Sequence, residues 1–250
     1  MLNVDRILSE YLENNFTEKK IEELRAYFLT HSVVPLRQFI PPVLFSALKE
    51  EAENIVTAHG VARDFNLEIT DNTPRHMTTV GQPVISELGS IIPAMYDSKV
   101  LIDIASRIVG EQVFECPYLG ERYVLSSLSR SGDTHGWHWD DYAMGMVWVL
   151  EAPHPKDGGF VQCVPNTSWD KTNPDVHGAM LQQPIYSYAF EPGDAYIIRA
   201  DTTMHRVYPI RGEGKRLIVN TTWAFADDLK RSMTHETNDV LFGGATAYAQ

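Results

Sequence analysis

The chain has 250 residues, is 44% hydrophobic, and carries a formal net charge of −12. That length and apolar content suit one large domain or two small ones, while the acidic balance excludes a phosphate-binding surface of clustered Lys and Arg, so no nucleic-acid partner is expected. No apolar run reaches bilayer-spanning length, Met1 to Arg6 lacks a secretory-signal pattern, and two cysteines (Cys116, Cys163) are too few for a disulfide scaffold, so a cytoplasmic protein with no membrane partner is expected.

Residues 1–117 read as mainly helical support. Ile7, Leu8, Tyr11 and Leu12 recur at helical spacing. Thr17 can cap a second helix whose stripe is Ile21, Leu24, Tyr27 and Phe28. Pro41-Pro42 opens a third, with Leu44, Leu48, Ala52 and Ile55. Asp97 is expected to cap a fourth, carrying Leu101, Ile104, Ala105 and Ile108. Between the third and fourth, Thr73-Pro74-Arg75-His76 and the residues to Val80 read as irregular or extended, because a proline disfavours helix at the residue before it. On pattern alone, Arg75 and His76 belong on the surface.

From Tyr118 the texture changes to short β-prone runs broken by Gly, Pro, Asn and Asp. The predicted strands cover Arg122–Leu128, Gly136–Asp140, Met144–Glu151, Gly159–Pro165, Ile185–Phe190, Ala195–Ala200, His205–Pro209 and Arg216–Phe225. About eight short antiparallel strands suit a jelly roll of two facing sheets. The fold class is thus α+β: a double-stranded β-helix (jelly-roll, cupin-like) barrel over residues 118–226, with the N-terminal helices outside. Residues 227–250 form a C-terminal segment of one 1–250 domain. Asn166-Thr167-Ser168 and Asn220-Thr221-Thr222 match a glycosylation pattern and are read as chance.

Chemistry concentrates at Gly136-Trp137-His138-Trp139-Asp140-Asp141. Residues two apart on a strand point the same way, so His138 and Asp140 are expected to share a face. A second imidazole from a separate strand, His205, completes two His and one carboxylate, the facial set of non-haem Fe(II) oxygenases. In Arg216-Leu217-Ile218-Val219-Asn220-Thr221-Thr222-Trp223, period two puts Arg216, Ile218, Asn220 and Thr222 on one face. The other face reads as core. A buried Arg needs an anion, and a carboxylate matches its planar fork. Arg216 is therefore the expected anchor of an anionic co-substrate. The same alternation points Glu121, Tyr123 and Leu125 into the barrel, with Glu121 available to a cationic substrate group and Tyr123 to a carboxylate. His135 and Asp141 flank the metal motif, where a substrate must lie.

These stretches carry a resemblance. The sequence resembles the Fe(II)- and 2-oxoglutarate-dependent oxygenases, and more narrowly the free-amino-acid radical halogenases and their lysine hydroxylase relatives. The matching segments are Thr73 to His76, Gly120 to Tyr123, His135 to Asp141, Met204-His205-Arg206, and Arg216 to Trp223. The resemblance implies that His138, Asp140 and His205 bind Fe(II). It implies that Arg216 holds 2-oxoglutarate and that O2 is consumed; the alternation reading adds Tyr123 as a candidate co-substrate contact. Arg75, Glu121, His135, Asp141, Asn220 and Thr222 match positions that hold a free amino acid, lysine in the best-known members. Halogenating members have Gly where this chain has Asp140, so the chain looks like the hydroxylase branch, with lysine C4 the favoured position. Those halogenases also use a Trp near the C-terminus. This chain has none after Trp223, and its tail reads His235-Glu236-Thr237-Asn238-Asp239-Val240, which leaves the contacts at the substrate carboxylate open.

The physical reading runs the same way. Free lysine has two ammonium groups and one carboxylate, and Glu121, Asp141 and Arg75 give each a partner. The competing readings are a radical halogenase, a non-catalytic cupin-like metal-binding module, and an oxygenase of a protein or carrier-bound lipid. Gly243-Gly244 suggests a C-terminal segment that closes over the site. Oligomeric state is open, a homodimer included.

Overall fold

The structure is a computed structural model, and it describes residues 2–243. Within them, strands Val33–Leu36 (β1), Val61–Leu67 (β2), Thr73–Val80 (β3), Phe114–Glu115 (β4), Tyr123–Leu128 (β5) and Thr134–His138 (β6) precede Met144–Glu151 (β7) and Val161–Pro165 (β8). Tyr186–Tyr188 (β9), Ala195–Arg199 (β10), Thr203–Val207 (β11) and Arg216–Ala224 (β12) follow. They form one antiparallel sheet in the order β1-β10-β7-β12-β5-β3-β6-β11-β8-β9, with β2 on β3 and β4 on β12. The sheet curls into a nearly closed jelly-roll barrel with helices outside, an α+β fold.

Strand β3 is the hinge between the two walls. Its first half pairs β6 (Arg75 opposite His135), and its second half pairs β5 (Thr78 opposite Ser127). The segment from Thr73 to Val80 is therefore a central strand, and with β1 and β2 it gives the N-terminal region more sheet than its helical stripes suggest. Pro74 at its start does not break it. Arg63 opposite Met77 and Phe65 opposite Arg75 show β2 pairing along its whole length.

Helices Val4–Asn15 (α1), Glu18–His31 (α2), Pro42–His59 (α3), Gln82–Leu88 (α4), Ile91–Tyr96 (α5) and Lys99–Val109 (α6) cover one wall. Local signals explain their starts. The Asn3 and Thr17 side chains accept from Arg6 N and Lys20 N, and Pro42 sits in the first turn of α3. The buried positions of α3 (Leu44, Leu48, Ala52, Ile55) are the expected stripe, while α1 buries Val4, Leu8 and Leu12 and leaves Ile7 and Tyr11 of its expected stripe only partly buried. Asp97 is not the cap of α6; it closes α5, and Ser98 caps α6 by accepting from Leu101 N at 3.2 Å. Glu51 on α3 caps α5 from outside, accepting from Ser90, Ile91 and Ile92 amides.

Period two sorts β7 and β12 between two environments. Met144, Met146, Trp148, Leu150, Leu217, Val219 and Trp223 face the helices. Val147, Val149 and Ile218 face the barrel interior. The buried Trp148 Nε1 donates to Thr221 Oγ1 at 2.9 Å, and that hydroxyl donates to Met146 O at 2.8 Å, so these polar groups in the wall are satisfied. Burying each such large side chain contributes about 1.5–3 kcal/mol. The rigid outer face fixes what the inner face presents. Two short helices remain, Val176–Gln182 (α7) and Glu236–Phe242 (α8). Among the described residues, no helix is long and apolar enough to cross a membrane.

Candidate metal centre and substrate pocket

His138 ends β6 and His205 lies directly opposite it on β11. Opposed residues of antiparallel strands share a face, and the two rings stand 4.1 Å apart, centroid to centroid. Asp140 lies two residues beyond the end of β6, not on it, and its amide donates to Ala200 O at 3.2 Å. That turn brings its carboxylate Oδ1 within 3.7 Å of His138 Nε2 and 3.8 Å of His205 Nε2. One ligand atom from each of the three lies within 4.8 Å of the others.

The imidazoles are set for ligation. His138 Nδ1 donates to Gly136 O at 2.7 Å, and His205 Nδ1 donates to Thr203 O at 2.9 Å. Each bond fixes the tautomer that leaves the Nε2 lone pair free. Burial first, and then electrostatic opposition from the neighbouring ionisable groups His135, His205 and Arg75, pull His138 well below the usual histidine range, so the ring is held neutral. Burial also raises the Asp140 carboxyl, with His205 opposing. A carboxylate and two imidazole Nε2 atoms aimed at one point are a donor set that a divalent ion would satisfy. The residues fit an iron site with open positions. The strand under His138 tolerates little change: a Cβ on Gly136 would lie 2.7 Å from Pro74 O and 2.9 Å from Pro74 N.

Arg216 opens β12 and lines the same cavity. It is only 3% exposed, and its Nη2 has no hydrogen-bond partner. Such an orphan donor on a buried cation calls for an anion, so the residues also fit a dicarboxylate beside the metal. Tyr196, inward-facing on β10, stands against Arg216 in the same cavity. Sequence reasoning missed Tyr196, although alternation in Ala195–Ala200 puts it on the inner face with Ile198.

Tyr123 is a correction. Its ring packs against Tyr96 in the helix-covered core, centroids 5.4 Å apart, and its hydroxyl accepts from Gln82 Nε2 at 3.2 Å. Glu121 sits in a short helical turn before β5, so period two cannot be carried from it into the strand. Val124, Ser126 and Leu128 take the inner face instead.

The other candidates converge with one exception. Glu121, His135, Asp141, Asn220 and Thr222 all line the cavity. His135 stacks on His138, and its Nε2 is buried without a partner. Burial, then Arg75, keeps it well below the usual histidine range. Asn220 Oδ1 is a second buried orphan. Arg75 is wholly buried rather than at the surface, behind His135, and it does not line the cavity. It donates to Thr73 O, Thr73 Oγ1, Pro74 O and Thr70 Oγ1, and only its Nε lacks a partner. His76 is part-exposed, 3.3 Å from Asp64.

Both acids expected to meet substrate cations already have partners. His235 Nδ1 donates to Glu121 Oε1 at 2.9 Å, and Lys171 Nζ lies 2.6 Å from Asp141 Oδ1. Burial lifts the Glu121 carboxyl to about 7, with the His235 bond opposing and the Asp141 and Asp140 charges adding to the rise. The Glu121 bond in turn raises His235. Glu121, Asp141 and His235 could themselves hold an ion by geometry, but Glu121 Oε1 and Asp141 Oδ1 are already engaged by His235 and Lys171. Helix α8 closes the cavity with Thr237, Asn238, Leu241 and Phe242. The suggestion of a closing C-terminal segment thus has a described part in α8, while Gly244 lies outside the described residues.

A protein family described as Halogenase D matches residues 16–243. Among curated proteins, no sequence matches. Solved structures with the same fold include SnoN, a non-haem alpha ketoglutarate dependent epimerase from nogalamycin biosynthesis, with a TM-score of 0.63 and 15% identity over 84% of this chain and 82% of that one. SnoN has also been solved with Fe3+, alpha ketoglutarate and nogalamycin RO. A prolyl hydroxylase from Trichoplax adhaerens has a TM-score of 0.59 and 11% identity, covering 88% of this chain and 99% of that one. A 2OG-Fe(II) oxygenase family protein from Burkholderia pseudomallei has a TM-score of 0.56 and 14% identity, over 83% and 92%. At these identities the likeness is one of fold.

Proposed function

The chain belongs to the halogenase D family, and we propose that within it the chain is a 2-oxoglutarate-dependent hydroxylase of a free amino acid, L-lysine foremost and C4 the favoured position. The observation that carries this reading is Asp140. Its carboxylate completes a His138–Asp140–His205 set, where the resemblance gives halogenating members a glycine. Protein oxygen takes the corner that a halide would need.

His138, Asp140 and His205 would hold Fe(II), and Arg216 would hold 2-oxoglutarate with Tyr196 beside it. When bound, iron with 2-oxoglutarate and O2 supplies the oxidising power to replace C–H by C–OH at an unactivated carbon. The chain's own residues do the placing, and a misplacement of about 1 Å can cost roughly a hundredfold. Asn220 Oδ1 and the Thr222 hydroxyl point from β12 as acceptors for an ammonium. Glu121 and Asp141 add carboxylate oxygens to the same cavity. His135, neutral and with a free Nε2, offers the substrate a polar contact next to the metal ligands. Arg75 acts from behind His135, with Nε as its remaining donor. Helix α8 restricts water.

The test is succinate release by the iron-loaded protein with 2-oxoglutarate and O2. Succinate formed with lysine should greatly exceed that formed without it. Equal release in both, across a panel of free amino acids, would point instead to a protein-bound or carrier-bound substrate. The family's own description keeps halogenation as the second reading, and product mass separates the two.

A further inference from the structure

Lys171 lies in the loop between β8 and α7, far from the metal motif in sequence. Its ammonium nevertheless meets Asp141, which lines the cavity. Nζ is 2.6 Å from Asp141 Oδ1, 2.6 Å from Thr234 O, 3.1 Å from Thr234 Oγ1 and 3.2 Å from Glu236 Oε2. It also stands 4.6 Å from the Trp169 ring centroid. An ammonium has three N–H donors, so this is a fully subscribed site for a point charge. Its anchors belong to three parts of the chain: the metal-motif turn, its own loop, and the strap that leads into α8.

Two consequences follow from the geometry. First, Lys171 binds only one oxygen of Asp141. Oδ2 is 3.9 Å from His235 Nδ1, beyond a hydrogen bond, so one lone-pair face is left for the cavity. Second, Lys171 compensates charge. Glu121, Asp140 and Asp141 bring three acids into one buried cavity, and a carboxylate without a counter-charge would shift or turn away. Arg231 reinforces the same joint by donating to the Asp141 carbonyl at 3.4 Å.

We propose that Lys171 is a positioning residue for the amino-acid pocket: it fixes the Asp141 carboxylate with Oδ2 toward the substrate and ties the Thr234–Glu236 strap down as the wall that carries α8. The pocket is then selective for a side-chain cation because a resident cation orders the acid that receives it. This rests on the free-amino-acid reading for the ligand, but not for the tie itself.

The experiment compares wild type with Lys171→Met and Lys171→Arg. Hydrogen exchange is read on each protein without ligand, and calorimetry is read with L-lysine and with norleucine, which matches its length without the side-chain ammonium. In Lys171→Met, amides from Thr234 to Thr237 should exchange at least about tenfold faster, since a partly buried charged tie is lost. Lysine should bind at least about tenfold more weakly, with 2-oxoglutarate binding unchanged. Norleucine should change much less, and Lys171→Arg should recover most of both effects. Tighter lysine binding in Lys171→Met would overturn the proposal by making Lys171 a competitor. Unchanged exchange would overturn the tie. If wild type binds no free amino acid, the exchange result still decides the tie, and the substrate reading alone fails.

Discussion

The His135 ring lies flat on the His138 ring, with centroids 3.8 Å apart and planes 14° from parallel. On the proposed function, a substrate-facing residue would thereby also set the orientation of a metal ligand. His135→Ala should weaken both metal and amino-acid binding, the metal by about tenfold, the low end for loss of a ligand's supporting partner. Asn220→Ala, on the far wall, should weaken only the amino acid. Metal titration followed by ligand calorimetry on the two variants checks the split; intact metal affinity in His135→Ala would remove the supporting role.

Arg216 makes a prediction about stability as well as affinity. Its buried Nη2 has no partner in the protein. Arg216→Met should therefore melt no lower than wild type in the absence of 2-oxoglutarate. The rise in melting temperature that 2-oxoglutarate gives wild type should vanish, and affinity should fall by about a hundredfold, as for a truncated buried charge pair. A variant that still gains stability from 2-oxoglutarate would place the co-substrate elsewhere.

Strand β12 separates fold from function at adjacent residues. Trp223 is 1% exposed and stacks on Tyr96 at 4.9 Å, while Thr222 faces the cavity. Trp223→Ala should cost about 3–5 kcal/mol in chemical denaturation. Thr222→Ala should leave the midpoint nearly unchanged and raise the Kd for the amino acid. The reverse pattern would mean that the faces are assigned the wrong way round.

That alternation was the most legible part of the chain. Arg216, Asn220 and Thr222 are an odd cargo for a half-buried strand, and they line the cavity as period two requires. Carried on from Glu121, which does line the cavity, the same rule failed at Tyr123 and Leu125, because a helical turn intervenes and resets the phase. It reached Asp140 for the wrong reason, since β6 stops at His138 and a turn, not a pleat, carries the carboxylate inward. Arg75 looked like a surface residue because nothing local signals that β3 joins two walls. Lys171 and His235 were not legible. Each meets its acid across long sequence separations, which only the tertiary fold closes.

The Glu121 carboxyl, lifted to about 7 chiefly by burial, gives a pH signature. An acid raised above its ordinary range loses its charge as pH falls through that value. A cation that binds the carboxylate is then bound less tightly at pH 6 than at pH 8. The Kd of lysine should rise on acidification by up to about tenfold per pH unit below that value. Norleucine should not show the effect, and Glu121→Gln should bind lysine weakly with a flat profile. A sloping profile retained in Glu121→Gln would assign the titration to another group.

The account turns on whether the corner filled by Asp140 commits the site to oxygen transfer. The direct measurement is the product mass when the iron-loaded protein turns over free L-lysine with 2-oxoglutarate and O2 in chloride buffer. The prediction is lysine plus one oxygen atom. Chlorolysine as the main product would contradict it.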